Sequence, residues 1–176
     1  MPPGFFFNLK IYLIIINKSQ RNMSSQTATQ IDKINKFEFH PQLSPAKMLD
    51  LGVFGGWYFE GKITEYPSEW FENANLSNDG FDLSFNCFNI VSGLTRAEWQ
   101  AKGWMTPEDP LGWFQWYCRY IMGRRLTGVD QFQIRRWKAF GPRHIGAIRA
   151  NCEPLDLDCR RRQRQALLQW AYDPFI

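Results

Sequence analysis

Two histidines and four cysteines are all that 176 residues offer as soft metal ligands. Six residues separate Cys152 from Cys159, whereas zinc sites usually pair their ligands about two to four residues apart. With only His40 and His144 to complete a set, no metal site is expected. Four irregularly spaced cysteines are also too few for a disulfide scaffold, and Cys118, set among aromatic residues, reads as a small buried apolar group. The economical setting for such cysteine usage is reducing: intracellular and cytoplasmic.

Long hydrophobic runs are missing as well. The main apolar stretch, Phe5 to Ile16, is broken by Asn8 and Lys10, and it falls short of the roughly 20 residues that a bilayer span requires. A secretory signal would carry positive charge before its apolar run and small residues at a cleavage site; here the charge follows and no such site appears. Residues 1–22 are therefore expected to be an extension from an upstream start codon or a disordered tail, with Met23 as the natural start and no stable membrane span. Residues 23–43 are polar and mixed, and read as a flexible lead-in. No nucleophile with an adjacent base is recognisable, and no cofactor is called for. The "GVFGGWYF" glycines match no phosphate-loop spacing, which favours an aromatic-bracketed turn over an anion cradle.

Aromatic residues, by contrast, are abundant: eight Trp, fifteen Phe and six Tyr. Rings bury large areas each, so a compact core can be built from few of them. Charge is plentiful but uneven. Residues 23–110 hold six Lys/Arg against twelve Asp/Glu, a net of −6, while residues 111–176 hold twelve against five, a net of +7. Such halves either pair with each other, within or between chains, or present the basic half to an external polyanion.

The helix grammar is clear in several places. Ser44 and Pro45 open a two-turn helix that Gly52 closes, with Met48, Leu49 and Leu51 inward. A short helix is expected over 67–74, and at most a small hairpin near 80–92. Thr95 and Glu98 form a capping box, and Gly103 ends that helix. Asp109 and Pro110 then start a helix through "GWFQWYCRYIMGRR" to Gly123, apolar on all sides and so the central element of the core. Because of that position, Glu108 and Asp109 suit helix capping better than acid–base chemistry. A further helix spans 130–140, Pro142 starts another segment, and a last helix is capped at Asp156 or Asp158. The fold expected is mainly α: one compact domain over 44–176 with about five or six short helices and an aromatic-rich core.

"WFQ" followed by "GRR" resembles the recognition helix of homeodomains, but Trp116 and Cys118 stand where that motif needs its base-reading Asn and its Arg. "LGVFGGWYF", "GWFQWYCRYIMGRR", "DQFQIRRWKAFGP" and "RQALLQWAYD" together resemble blocks of a family of conserved hypothetical proteins found in fungi, plants and bacteria. That resemblance covers about Leu43 to Tyr172, implies a domain starting after Met23, and implies no activity or substrate.

Three functional expectations follow. The first is a non-catalytic module that binds nucleic acid or another polyanion through Arg124, Arg125, Arg135, Arg136, Arg160, Arg161, Arg162 and Arg164, because the planar fork of arginine grips phosphate in two places. The second is a small-ligand pocket, catalytic or not, around Gly55, Gly56, Gln115, Trp116, Arg119 and Tyr120, where aimed polar groups lie among rings. The third is a structural or protein-partner domain held by pairing of the acidic and basic halves.

Overall fold

The computed structural model describes residues 39–176, and His40–Ile176 form one unit. The expectations for residues 1–38 lie outside that range. Among the described residues there are five α-helices, three single turns of 3-10 helix and no strand; the nearest thing to a sheet is an isolated bridge between Thr106 and Asp109. The mainly helical expectation is met. No helix of the described residues is long and apolar enough to cross a membrane.

The first helix, α1 (Pro45–Asp50), forms for the local reasons its sequence announces. The Ser44 hydroxyl accepts the Lys47 N–H at 3.2 Å, proline sits in the first turn, and Met48 and Leu49 are buried. Gly52 follows with φ +82°, a conformation disfavoured for residues with a Cβ. A Cβ there would also lie 2.1 Å from the Phe85 carbonyl oxygen, so the position is closed by sterics as well as by φ.

From 51 to 112 the chain is mostly irregular. The helix expected over 67–74 contracts to a 3-10 turn, Ser68–Trp70, and Trp70 and Phe71 are only half-buried, against Tyr66 and Phe59 respectively. The hairpin expected near 80–92 is replaced by a 3-10 turn, Leu83–Phe85. Asp82 decides that outcome: its carboxylate accepts both the Ser84 amide and the Ser84 hydroxyl at 2.8 Å, a local turn that competes with extended backbone. The capping box then opens α2 (Arg96–Ala101) as expected, with the Glu98 carboxylate accepting the Thr95 amide at 2.8 Å.

Helix α3 (Trp113–Ile121) is the centre of the molecule, and its residues Trp113 through Cys118 are all buried. It starts later than the sequence suggests. Gly112, at φ +96°, occupies the N-cap, and Asp109 is no cap at all but a fully buried carboxylate. Helix α4 (Thr127–Arg149) also departs from expectation, running unbroken for 23 residues through Pro142. Proline removes one helical N–H, a local cost. It is outweighed where α4 meets the C-terminal segment: the Trp137 and Tyr172 rings stack 4.7 Å apart, the Tyr172 hydroxyl donates to the Trp137 carbonyl at 2.8 Å, and a Cβ on Gly141 would strike the Tyr172 ring.

Helix α5 (Arg161–Gln169) packs on α4 and buries Arg164 through Gln169. Its N-cap is Arg160 in the left-handed region at φ +55°. Neither Asp156 nor Asp158, the two expected caps, fills that place; Asp156 instead accepts the Asp158 and Cys159 amides at 3.1 Å in the preceding turn. A disulfide joins Cys152 to Cys159 across this connection. The free-thiol reading thus extends only to Cys87 and the buried Cys118. The domain also begins slightly before 44, since the Gln42 and Leu43 amides both donate to the Ala171 carbonyl.

Candidate functional site

The residues expected to line a pocket around α3 make contacts within the protein. Gly55 and Gly56 do form a left-handed turn, but the Phe81 ring covers the first and the Leu76–Ser77 backbone the second. Gln115 accepts the Leu111 amide at 2.9 Å, and its own amide donates to the Tyr58 hydroxyl at 3.0 Å. Trp116 is fully buried and donates from Nε1 to Asp130 Oδ1 at 2.9 Å. Tyr120 is covered by the Arg125 guanidinium, 3.7 Å above its ring. These residues hold the core and the turn at the end of α3.

Arg119 and Arg124 belong to an ion cluster centred on Asp109. Arg119 donates to Asp109 Oδ1 at 3.1 Å, to both oxygens of Glu65 and to the Glu108 carbonyl. Arg124 donates to Asp109 Oδ2 at 2.6 Å. The Arg119 guanidinium, by these hydrogen bonds, holds the Glu65 carboxyl below the usual carboxylate range. Here the acidic and basic halves of the chain pair internally.

Other arginines bind backbone. Arg161 donates to the Phe88 carbonyl. Arg164, with none of its surface exposed, donates to the carbonyl oxygens of Cys159, Pro174, Ile176 and Asp156 at 2.7–3.0 Å. Arg125 donates to the carbonyls of Tyr120 and Arg124. Arg135, Arg160 and Arg162 are exposed. Seven of the eight arginines expected to form one surface are therefore divided among a buried hub, an ion cluster, backbone carbonyls and solvent, and the eighth, Arg136, lines a cavity.

A cavity of about 670 Å³ opens elsewhere, between α4, α5 and the segment around α2. Its floor includes the buried Tyr58, Trp113, Phe114 and Ala166. Trp99, Trp104, Phe132, Phe140 and Trp170 supply further rings, with Phe140 stacked on Trp170 at 4.6 Å. The charged lining is cationic: Arg136, Arg143 and Arg162, with His144, Ser92, Gln163 and Gln169 as the other polar side chains and no Asp or Glu.

Arg136 is the unusual member. Its guanidinium lies 5.1–5.4 Å from the Trp104, Trp170 and Phe132 ring centres. Nη1 donates to the Trp104 carbonyl and to Gln133 Oε1, both at 2.9 Å. Among the described residues, no carboxylate lies within 4.0 Å of it. Burial brings its pKa down to about 10, which still leaves it charged at neutral pH. His144 packs against Phe140 with tilted rings 4.2 Å apart, and both of its ring nitrogens are buried without a hydrogen-bond partner among the described residues. Burial, assisted by the neighbouring Arg143 charge, lowers its pKa and favours the neutral ring.

Of the cavity lining, only Arg136 and Arg162 figure among the site residues expected from sequence. The missing signal was present in α4: Phe132, Arg136, Ala139, Phe140 and Arg143 recur at helical spacing on one face, legible once α4 is read through Pro142. Among the described residues, no three His, Cys, Asp or Glu side chains gather where a metal ion could be held. No family model matches the chain, and comparison with curated proteins and with solved structures finds no match.

Proposed function

We propose that this protein is a small-molecule binding module whose site is the ring-lined cavity between α4 and α5. One observation carries the reading: a cavity of about 670 Å³ walled by aromatic side chains, with a few polar groups at defined places. Its size lies within the roughly 300–1,000 Å³ of ordinary ligand sites, which combine apolar walls with a small number of orienting polar groups. Stacked faces such as Phe140 on Trp170 favour a flat apolar ligand body.

The polyanion reading draws less support from the geometry. Arg124 is committed to Asp109, Arg161 to Phe88 and Arg164 to four carbonyls. Arg136 faces a cavity too narrow for a duplex. The arginines left to solvent give weak, salt-dependent attraction for any polyanion.

The test is a titration of the full chain with neutral bicyclic aromatics such as 2-naphthalenemethanol, read by tryptophan emission and calorimetry. Trp99, Trp104, Trp113 and Trp170 line the cavity and report its occupancy. Saturable binding is expected, and it is expected to vanish in Ala139→Trp, which places a large ring at an exposed position of the rim. Binding that persists unchanged in that variant would move the site elsewhere.

A further inference from the structure

We infer that the cavity takes an apolar carboxylate: a flat aromatic body with one carboxylate group, seated on the Nε–Nη2 edge of Arg136. This rests on the cavity being a ligand site and adds the charge and the anchor of the ligand.

The argument begins with how the Arg136 donors are used. Nη1 is occupied twice, by the Trp104 carbonyl and Gln133 Oε1. Among the described residues, Nε and Nη2 have no acceptor. Those two atoms form the side-on edge of the guanidinium fork, whose parallel N–H bonds match the two oxygens of a carboxylate. The two existing bonds hold the plane of the group, so the edge is oriented before a ligand arrives.

Charge points the same way. A half-buried cation without a counter-ion is costly, and proteins ordinarily supply one, as this chain does for Arg119 and Arg124 through Asp109. Around Arg136 the lining instead adds Arg143 and Arg162 and contains no acidic residue. The cavity is thus electrostatically incomplete, and an anion completes it. The walls exclude a bare inorganic ion as the natural occupant, because most of the lining is ring surface that only an apolar body covers.

His144, eight residues beyond Arg136 on α4, adds ring surface to the lining and no anchor, because both of its nitrogens are buried.

The experiment compares 2-naphthoate and 2-naphthalenemethanol on the full chain by calorimetry. The bicyclic body is the same in both, so the pair differs in the anion. Naphthoate is expected to bind about ten-fold tighter than the alcohol, the size of effect one charge-assisted pair supplies. Arg136→Met is expected to abolish the difference in affinity between naphthoate and the alcohol. Arg136→Lys, a point charge without the fork, is expected to fall between.

Equal affinity of naphthoate and alcohol for the natural chain would overturn the inference while leaving the cavity a ligand site. A preference for naphthoate that survives Arg136→Met would overturn the assignment of the anchor. Failure of both compounds to bind would overturn both readings together. The comparison in the natural chain needs no variant, so it decides even if Arg136→Met folds poorly.

Discussion

The Asp109 cluster and the α4–α5 cavity use the same residue type to opposite ends. At Asp109, two arginines converge on one fully buried carboxylate, and Glu65 takes the remaining donors of Arg119. In the cavity, Arg136 sits among three rings with no carboxylate near it, and its neighbours add positive charge. The first arrangement is closed and holds a loop to the core helix. The second is open to an anion from outside. A count of arginines does not separate the two; the location of the counter-charge does.

Substitutions sharpen the contrast. Asp109→Ala is expected to have the largest effect, a loss of about 3–5 kcal/mol in urea unfolding, because it strands the partly buried Arg124 guanidinium and takes one partner from Arg119. Arg119→Met is expected to cost less, roughly 1–2 kcal/mol, since the Asp109 carboxylate keeps Arg124 while losing one charge-assisted bond. Arg136→Met is expected to stay within about 1 kcal/mol of the natural chain, because an unpaired cation leaves the protein and only two neutral acceptors lose a donor. A cost for Arg136→Met equal to that of Asp109→Ala would erase the distinction between the two sites.

The smallest effects are those of pH. Glu65 has a folded pKa below its unfolded value, so its contribution is fully present above about pH 4.5 and is lost as pH falls through the lower folded value. Glu65→Gln is expected to flatten that limb of the stability profile. His144 acts in a different window. Its folded pKa is depressed, so the unfolded chain takes up a proton first, and stability declines as pH drops below about 6.5. In His144→Phe the decline between about pH 6.5 and 5 is expected to be smaller, measured by thermal unfolding across that range.

What could be read from sequence was what local chemistry decides. Ser44 with Pro45, and Thr95 with Glu98, mark real helix starts because each cap is satisfied within three residues of itself. The buried character of α3 was legible because its apolar residues leave no polar face. Asp109 was misread for a complementary reason. Followed by proline, it has the grammar of a cap, but its carboxylate is taken by Arg119 and Arg124, ten and fifteen residues further on. Pro142 looked like a boundary, and the packing of Gly141 under Tyr172 carries α4 through it. The cavity was illegible because its walls come from separated segments, around 54–58, 92–105, 112–114, 132–144 and 162–170, which only tertiary structure brings together.

Arg164 has a consequence for how the molecule opens. One guanidinium holds the carbonyls of Asp156 and Cys159, in the disulfide-closed loop, and those of Pro174 and Ile176, in the C-terminal segment. If either segment detached alone, the charge would stay buried against a half-emptied set of acceptors, a state costly enough to be rarely visited. Loop and tail are therefore expected to exchange their amide protons as one cooperative unit, although they lie on opposite sides of α5 in the sequence and neither has regular secondary structure of its own.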